Sequence, residues 1–188
     1  MEQTGEYRIR AGLQTVWEGL NDPEVLARCI DGCQSMEKLG DDRFQTSVKA
    51  KVGPVSATFQ ALLQLTDVNA PSSYTIHADV KGGAAGFGKG TAAVSLLPDA
   101  EDPAATLLRY QVKANVGGKL AQVGSRLIDG AARKMADDFF AEFGEVVSGV
   151  APEATGEQAK APRYESSGQW IIWLLVFGAL LLAMIFAL

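Results

Sequence analysis

Basic residues are in the minority, and cysteine and histidine are almost missing. Seventeen Lys and Arg against 22 Asp and Glu leave a formal charge of −5. A nucleic-acid partner needs a clustered positive surface to displace counterions, so no nucleic acid is expected. Two cysteines, Cys29 and Cys33, are too few for a disulfide framework, and His77 is the one histidine. That leaves no nitrogen and sulfur set for a metal, so no metal site and no cofactor are expected, and a reducing compartment fits. What is present is apolar: 47% of 188 residues are hydrophobic, too many for a disordered tail in a chain too short for two full domains.

Charge disappears altogether at the C-terminus. From Trp170 to Leu188 there are 19 residues without a charge, an Asn, a Gln, a Ser or a Pro. As a helix that run spans roughly 28 Å, close to the hydrocarbon thickness of a bilayer. Twelve of the 19 are Leu, Ile, Val or Phe, which favours insertion by roughly 4 to 7 kcal/mol. Trp170 and Trp173 stand at the start of the run, where indoles prefer the headgroup level, with Lys160 and Arg163 shortly before. A core helix of a soluble domain would carry polar residues along one side, and none is found. The first six residues lack the basic and apolar pattern of a signal peptide. The expectation is a single-pass tail anchor on the lipid bilayer, with the N-terminal domain in the cytoplasm.

Between 149 and 169 the composition turns to Ala, Pro, Glu, Gly and Ser with no apolar period, which reads as a solvated linker. The chain therefore divides into a domain at 1–148, a linker at 149–169 and a transmembrane tail anchor at 170–188. Within the domain, a short strand over Thr4 to Ile9 precedes Leu13, Val16, Trp17 and Leu20 at helical spacing. Asn21-Asp22-Pro23 breaks and restarts the helix, and Val25, Leu26, Cys29 and Ile30 continue it. Phe44, Thr46, Val48, Ala50 and Val52 alternate with Gln45, Ser47, Lys49 and Lys51, the mark of a half-buried strand. Gly53-Pro54 supplies a turn, and Val55, Ala57, Phe59, Ala61, Leu63 and Leu65 repeat the alternation as the second arm of a hairpin. Further strands are expected before Gly40, over Tyr74 to Val80, Thr91 to Leu97 and Thr106 to Ala114. After Gly117-Gly118 a helix is expected from Lys119 to Val147, with Leu120, Val123, Leu127, Ala131, Met135, Phe139, Phe143 and Val146 three or four apart. These elements make an α+β layered domain whose sheet wraps the long helix, with space between them for an apolar small molecule.

Four features imitate chemistry. Gly83 to Gly90 has the glycine and lysine spacing of a phosphate-binding loop, but Gly90 stands where the magnesium-binding Ser or Thr belongs and a strand follows instead of a helix. It reads as a glycine-rich hairpin around Phe87, either a plain turn, a lid, or a membrane or partner contact. Cys29 and Cys33 lack a nearby activating base and read as small buried residues. His77 falls on the polar face of its strand, and no catalytic constellation can be placed around it, so no catalytic residue is assigned. Lys119, Arg126 and Arg133 are seven apart on the expected helix and form a basic stripe. It is either a solvated face partnered by Asp129 and Asp137 or a docking face for anionic headgroups or an acidic protein partner.

Three stretches carry a resemblance: Asp22-Pro23-Glu24-Val25-Leu26-Ala27-Arg28-Cys29-Ile30 with Gly32-Cys33, Gly86-Phe87 in its loop, and above all the run from Gly117-Gly118-Lys119-Leu120 through Gly130-Ala131-Ala132-Arg133-Lys134-Met135-Ala136. Together they resemble the family of the carbon monoxide dehydrogenase G-subunit, over residues 1 to about 148. The resemblance implies a START-like helix-grip fold of the SRPBCC type, with a curled antiparallel sheet of about seven strands around the terminal helix. It also implies a bacterial accessory protein at the inner membrane, recruiting a molybdenum hydroxylase of the carbon monoxide or xanthine dehydrogenase type. The implied ligand is a respiratory quinone or another prenyl lipid.

The expected cavity wall is Phe44, Phe59, Ile76, Phe87, Leu96, Val112, Met135 and Phe139, because flat aromatics and adaptable methionine suit a quinone ring and an isoprenoid tail. The expected partner face is Lys119, Arg126 and Arg133, and the expected membrane contacts are Trp170, Trp173 and Leu188. The alternatives are a helix-grip cyclase or hydrolase, which would need ionisable groups on the inward face, and a recruitment scaffold with a filled core.

Overall fold

The alternation over residues 44–65 becomes the middle of a hairpin whose inner row is buried and whose outer row is wet. The computed structural model describes residues 1–149. Its order is β1 (Glu2–Ile9), α1 (Leu13–Leu20), α2 (Pro23–Cys29), β2 (Cys33–Lys38), β3 (Arg43–Val52), β4 (Val55–Asn69), β5 (Ser73–Lys81), β6 (Phe87–Pro98), β7 (Thr106–Gly117) and α3 (Ser125–Ser148), with 3-10 turns at Gly83–Ala85 and Ala121–Val123. The fold is α+β, as expected. Its seven strands form one sheet in the order β1-β7-β6-β5-β4-β3-β2, with every neighbouring pair antiparallel. The linker from residue 150 onward and the span carrying Trp170, Trp173 and Leu188 lie outside the described residues. Among the described residues no helix is long and apolar enough to cross a membrane.

Local chemistry sets the boundaries. Asp22 caps α2, its carboxylate accepting from the Glu24 and Val25 backbone N–H groups at 2.8 and 3.5 Å, and Pro23 takes the first helical position where no amide is needed. Thr46 and Thr106 sit in otherwise apolar inward rows and are satisfied, donating to the Ser35 and Ala11 carbonyls at 2.8 Å each. The inner faces of β3 to β7 meet one stripe of α3 made of Ile128, Ala132, Met135, Ala136, Phe139, Phe140 and Phe143. Phe139 and Phe143 stack at 5.6 Å and are at most 2% exposed; each such ring contributes roughly 1.5–3 kcal/mol by leaving water.

Two expectations about element limits are corrected. The long helix begins at Ser125 instead of Lys119, because Gly124 holds φ at +96° and the chain before it turns through a separate 3-10 segment. Strand β6 begins at Phe87 instead of Thr91, because the glycine run Gly88 to Gly90 pairs with Val80 to Ala78 on one side and Val116 to Ala114 on the other. Two flanking strands satisfy its backbone groups, and that outweighs the low strand preference of glycine.

Candidate functional site

Where the inner faces of α1, α2 and α3 close over the sheet, a cavity of about 50 Å³ remains. Leu20 and Leu26 come from the two short helices, Phe44, Leu63 and Leu65 from β3 and β4, Tyr74 and Ile76 from β5, Val94 from β6, Leu108 from β7, and Phe139 and Phe140 from α3. It occupies the half of the sheet nearer the β4–β5 and β6–β7 connections, as the pairing of Leu65 with Ile76 and of Tyr74 with Val94 shows. Its volume equals the liquid share of one or two waters at about 30 Å³ each, so a larger occupant has to displace side chains. A wider, open hollow of about 660 Å³ lies on the outer face over Ser73, Ala93 and Ser95. Its wall mixes short side chains with the long or charged Glu6, Asp67, Arg109, Tyr110 and Gln111, whereas the smaller cavity is lined by hydrocarbon side chains and Tyr74, which suits an apolar ligand.

Aromatic rings build one side of the cleft. Phe140 stacks on Tyr7 at 4.2 Å and meets Phe139 edge-on at 5.0 Å. Trp17 of α1 meets the Tyr74 ring edge-on at 5.3 Å. Behind Phe140 lies a polar rim, in which Tyr7 donates to Asp137 Oδ1 at 2.7 Å and Gln3 Nε2 donates to the Tyr110 hydroxyl at 3.3 Å. Burial, and then the bond to Asp137, push the Tyr7 phenol well above its ordinary value. Burial alone does the same to Tyr74, so its hydroxyl keeps its proton at neutral pH.

Of the residues expected to form the wall, Phe44, Ile76 and Phe139 line this cavity. Phe59, Leu96, Val112 and Met135 are buried in the core around it without lining it. Phe87 is placed elsewhere: it is 53% exposed and its ring covers Gly117 on the outer side of the sheet. Strand parity explains this, since Gly88, Ala92, Val94 and Leu96 are the buried positions of β6 and Phe87 falls between the inward ones. The lining residues Leu20, Leu26, Leu63, Leu65, Tyr74, Val94, Leu108 and Phe140 fall outside the expected wall; most occupy inward positions of the very strands and helices read from the sequence.

The basic stripe is not continuous. Lys119 precedes the 3-10 turn and so is off α3, while Arg126 and Arg133 are on it, Arg126 at its first turn and Arg133 two turns further along. By helical spacing Asp129 and Asp137 interleave with the two arginines, which makes a mixed-charge flank. Cys29 is buried, and burial followed by the Glu142 charge pushes its thiol up to about 12, the opposite of an activated nucleophile. Cys33 is half-buried and burial raises its thiol too. His77 is exposed, its Nε2 3.0 Å from Thr66 Oγ1. Among the described residues no group of three or more His, Cys, Asp or Glu is placed to hold a metal.

The glycine-rich loop has a structural use. The turn Gly83–Ala85 lies against the chain at Gly117 and Gly118, where a Cβ on Gly118 would stand 2.6 Å from Gly86 Cα. The Leu120 amide donates to the Ala85 carbonyl at 3.0 Å across this crossing. Backbone against backbone, not phosphate, accounts for the glycines.

Comparison with known proteins adds to this geometry. A family model described as the carbon monoxide dehydrogenase G-subunit (CoxG) matches residues 5–148. A conserved protein from Geobacillus kaustophilus superposes with a TM-score of 0.73 at 29% identity, covering 79% of this chain and 96% of its own. A START superfamily protein from Mycobacterium smegmatis gives 0.56 at 14% identity, covering 77% and 98%, and a protein from Thermus thermophilus gives 0.58 at 16%, covering 78% and 97%. At those last two identities the likeness is one of fold alone. No curated protein matches the chain.

Proposed function

The chain belongs to the CoxG family, that of the carbon monoxide dehydrogenase G-subunit, and from that premise we propose that it is a non-catalytic, membrane-anchored accessory protein. It recruits a molybdenum hydroxylase of the carbon monoxide or xanthine dehydrogenase type to the inner membrane and holds an apolar ligand, such as a respiratory quinone or another prenyl lipid, between sheet and helix. The observation that carries the ligand half of this reading is the composition of the cavity, whose lining side chains are Leu, Ile, Val and Phe apart from Tyr74. With no carboxylate, imidazole or amine among them, the wall has the chemistry of a carrier more than that of a cyclase or hydrolase. Membrane attachment rests on the uncharged run from Trp170 to Leu188.

A cavity of about 50 Å³ also favours a second reading, a recruitment scaffold with a filled core. The two readings part on one experiment. Residues 1–149 form the whole sheet and α3, and the Geobacillus kaustophilus protein aligns over 96% of its length with only 79% of this chain, so a fold of this kind stands without a C-terminal extension. That segment is expressed alone, purified without detergent, extracted into organic solvent and analysed by mass spectrometry. A stoichiometric quinone or prenyl lipid is the expected result. A folded, empty domain that takes up no added quinone overturns the carrier reading in favour of the scaffold.

A further inference from the structure

Among the described residues there are three tyrosines, Tyr7, Tyr74 and Tyr110, and two of them have partners for their hydroxyls. Tyr74 does not: it is 5% exposed, it lines the small cavity and also borders the outer hollow, and its hydroxyl makes no hydrogen bond with any described residue. Its one specific contact is the Trp17 ring against its own ring at 5.3 Å, which packing with phenylalanine would satisfy equally. Among the described residues no completely enclosed side-chain nitrogen or oxygen lacks a partner, so this hydroxyl borders open space. With the whole residue 5% exposed, only a sliver of that space is open to water. A nearly dry hydroxyl without a partner is costly to keep, and native structures rarely keep one without a reason. Every other lining side chain is a hydrocarbon, so the oxygen of Tyr74 is the single polar side-chain group of the wall.

We propose that the Tyr74 hydroxyl is the polar contact of this cavity, donating a hydrogen bond to an acceptor oxygen on an otherwise apolar ligand, so that the site selects ring-carbonyl compounds over plain hydrocarbons. The inference rests on the carrier reading and deepens it. Because burial keeps the phenol protonated, the group acts as a donor throughout the neutral range and matches a carbonyl. The rest of the wall supplies contact area without direction, and one donor fixes which end of the ligand lies against β5.

The test uses residues 1–149 with two probes of nearly the same shape, 2-methyl-1,4-naphthoquinone and 2-methylnaphthalene, titrated by calorimetry into the wild type and Tyr74→Phe. Loss of one neutral hydrogen bond weakens quinone binding about 2- to 12-fold, while hydrocarbon binding stays the same. The ligand-free variant melts higher than the wild type, by about 2–4 °C, because an unpartnered hydroxyl is gone. A hydroxyl with a merely structural role would move the melting temperature down and both probes together. A second measurement needs only the wild type: the carbonyl stretch of the bound quinone falls below its value in an alkane solvent. Equal affinity changes for the two probes, or an unshifted carbonyl stretch, overturn the Tyr74 assignment and leave the carrier reading standing. If neither probe binds the wild type, the carrier reading itself falls.

Discussion

The two ends of the sheet and helix sandwich are closed in opposite ways. Near the β5–β6 connection and the lead into α3, backbone meets backbone: Gly86 has φ +130°, a Cβ there would overlap the Gly117 carbonyl oxygen, and Leu120 is fully buried beside them. Near the β4–β5 and β6–β7 connections only side chains meet, and a cavity of about 50 Å³ is left among Leu, Ile, Val, Phe and one Tyr. Backbone contacts have one geometry, whereas leucine and phenylalanine side chains pass between rotamers. The glycine end thus sets where α3 starts relative to the sheet, and the cavity end is where the molecule can yield to an occupant.

The sharpest way to break that contrast is Gly86→Ala. A conformation that is essentially glycine-only and a clash with a carbonyl add up to roughly 2–6 kcal/mol, a large part of a typical domain's stability. Urea unfolding of residues 1–149 is expected to show little or no native baseline. Gly130→Ala is the control, since Gly130 lies inside α3 with nothing within 4 Å of a Cβ, and there alanine stabilises by about 0.5–1 kcal/mol. Equal effects at the two glycines would show that the crossing is not a fixed point.

Next in size is a pair of identical truncations. Leu120→Ala removes a side chain that is 0% exposed at the crossing, and Leu65→Ala one that is 9% exposed at the cavity. The rigid end cannot collapse into the new void, so Leu120→Ala is expected near the top of the usual range, about 4–5 kcal/mol, and Leu65→Ala near the bottom, about 2–3. Chemical denaturation of both variants checks the difference, and a reversed order would mean that the cavity end is the stiffer one.

Most of this contrast lies beyond the sequence pattern, and particular residues show why. The alternation from Phe44 to Leu65 is legible because one buried face imprints a period of two on the strand. The start of α3 is not, since Leu120 and Val123 also fall at helical spacing and the break resides in the backbone angles of Gly118 and Gly124. Phe87 escapes the pattern because the glycine run reads as a loop, which loses the strand phase; counting back from Leu96 and Val94 by twos puts it outward. Tyr74 can be placed on the inward row, but the lack of a partner for its hydroxyl depends on what the helices bring to it, and no local pattern records that.

The smallest effect separates Tyr74 from its surroundings by pH. Tyr7, Tyr74 and Tyr110 all have phenols raised above the ordinary value of 10, by burial first in each case. A group whose folded-state value lies above its unfolded one lends stability that is complete below the unfolded value and is lost as pH rises beyond it. The unfolded chain therefore gains on the folded one above pH 10, as its tyrosines ionise while the folded ones stay neutral. Tyr74→Phe removes one of the three ionisations, so its advantage over the wild type widens by about 1.4 kcal/mol for each pH unit above 10. Urea unfolding of wild type and variant at pH 8, 10 and 11 measures this directly. A gap that stays constant across that range would mean that the Tyr74 hydroxyl is open to water in the folded protein, and the cavity end would then be a wet cleft instead of a yielding apolar one.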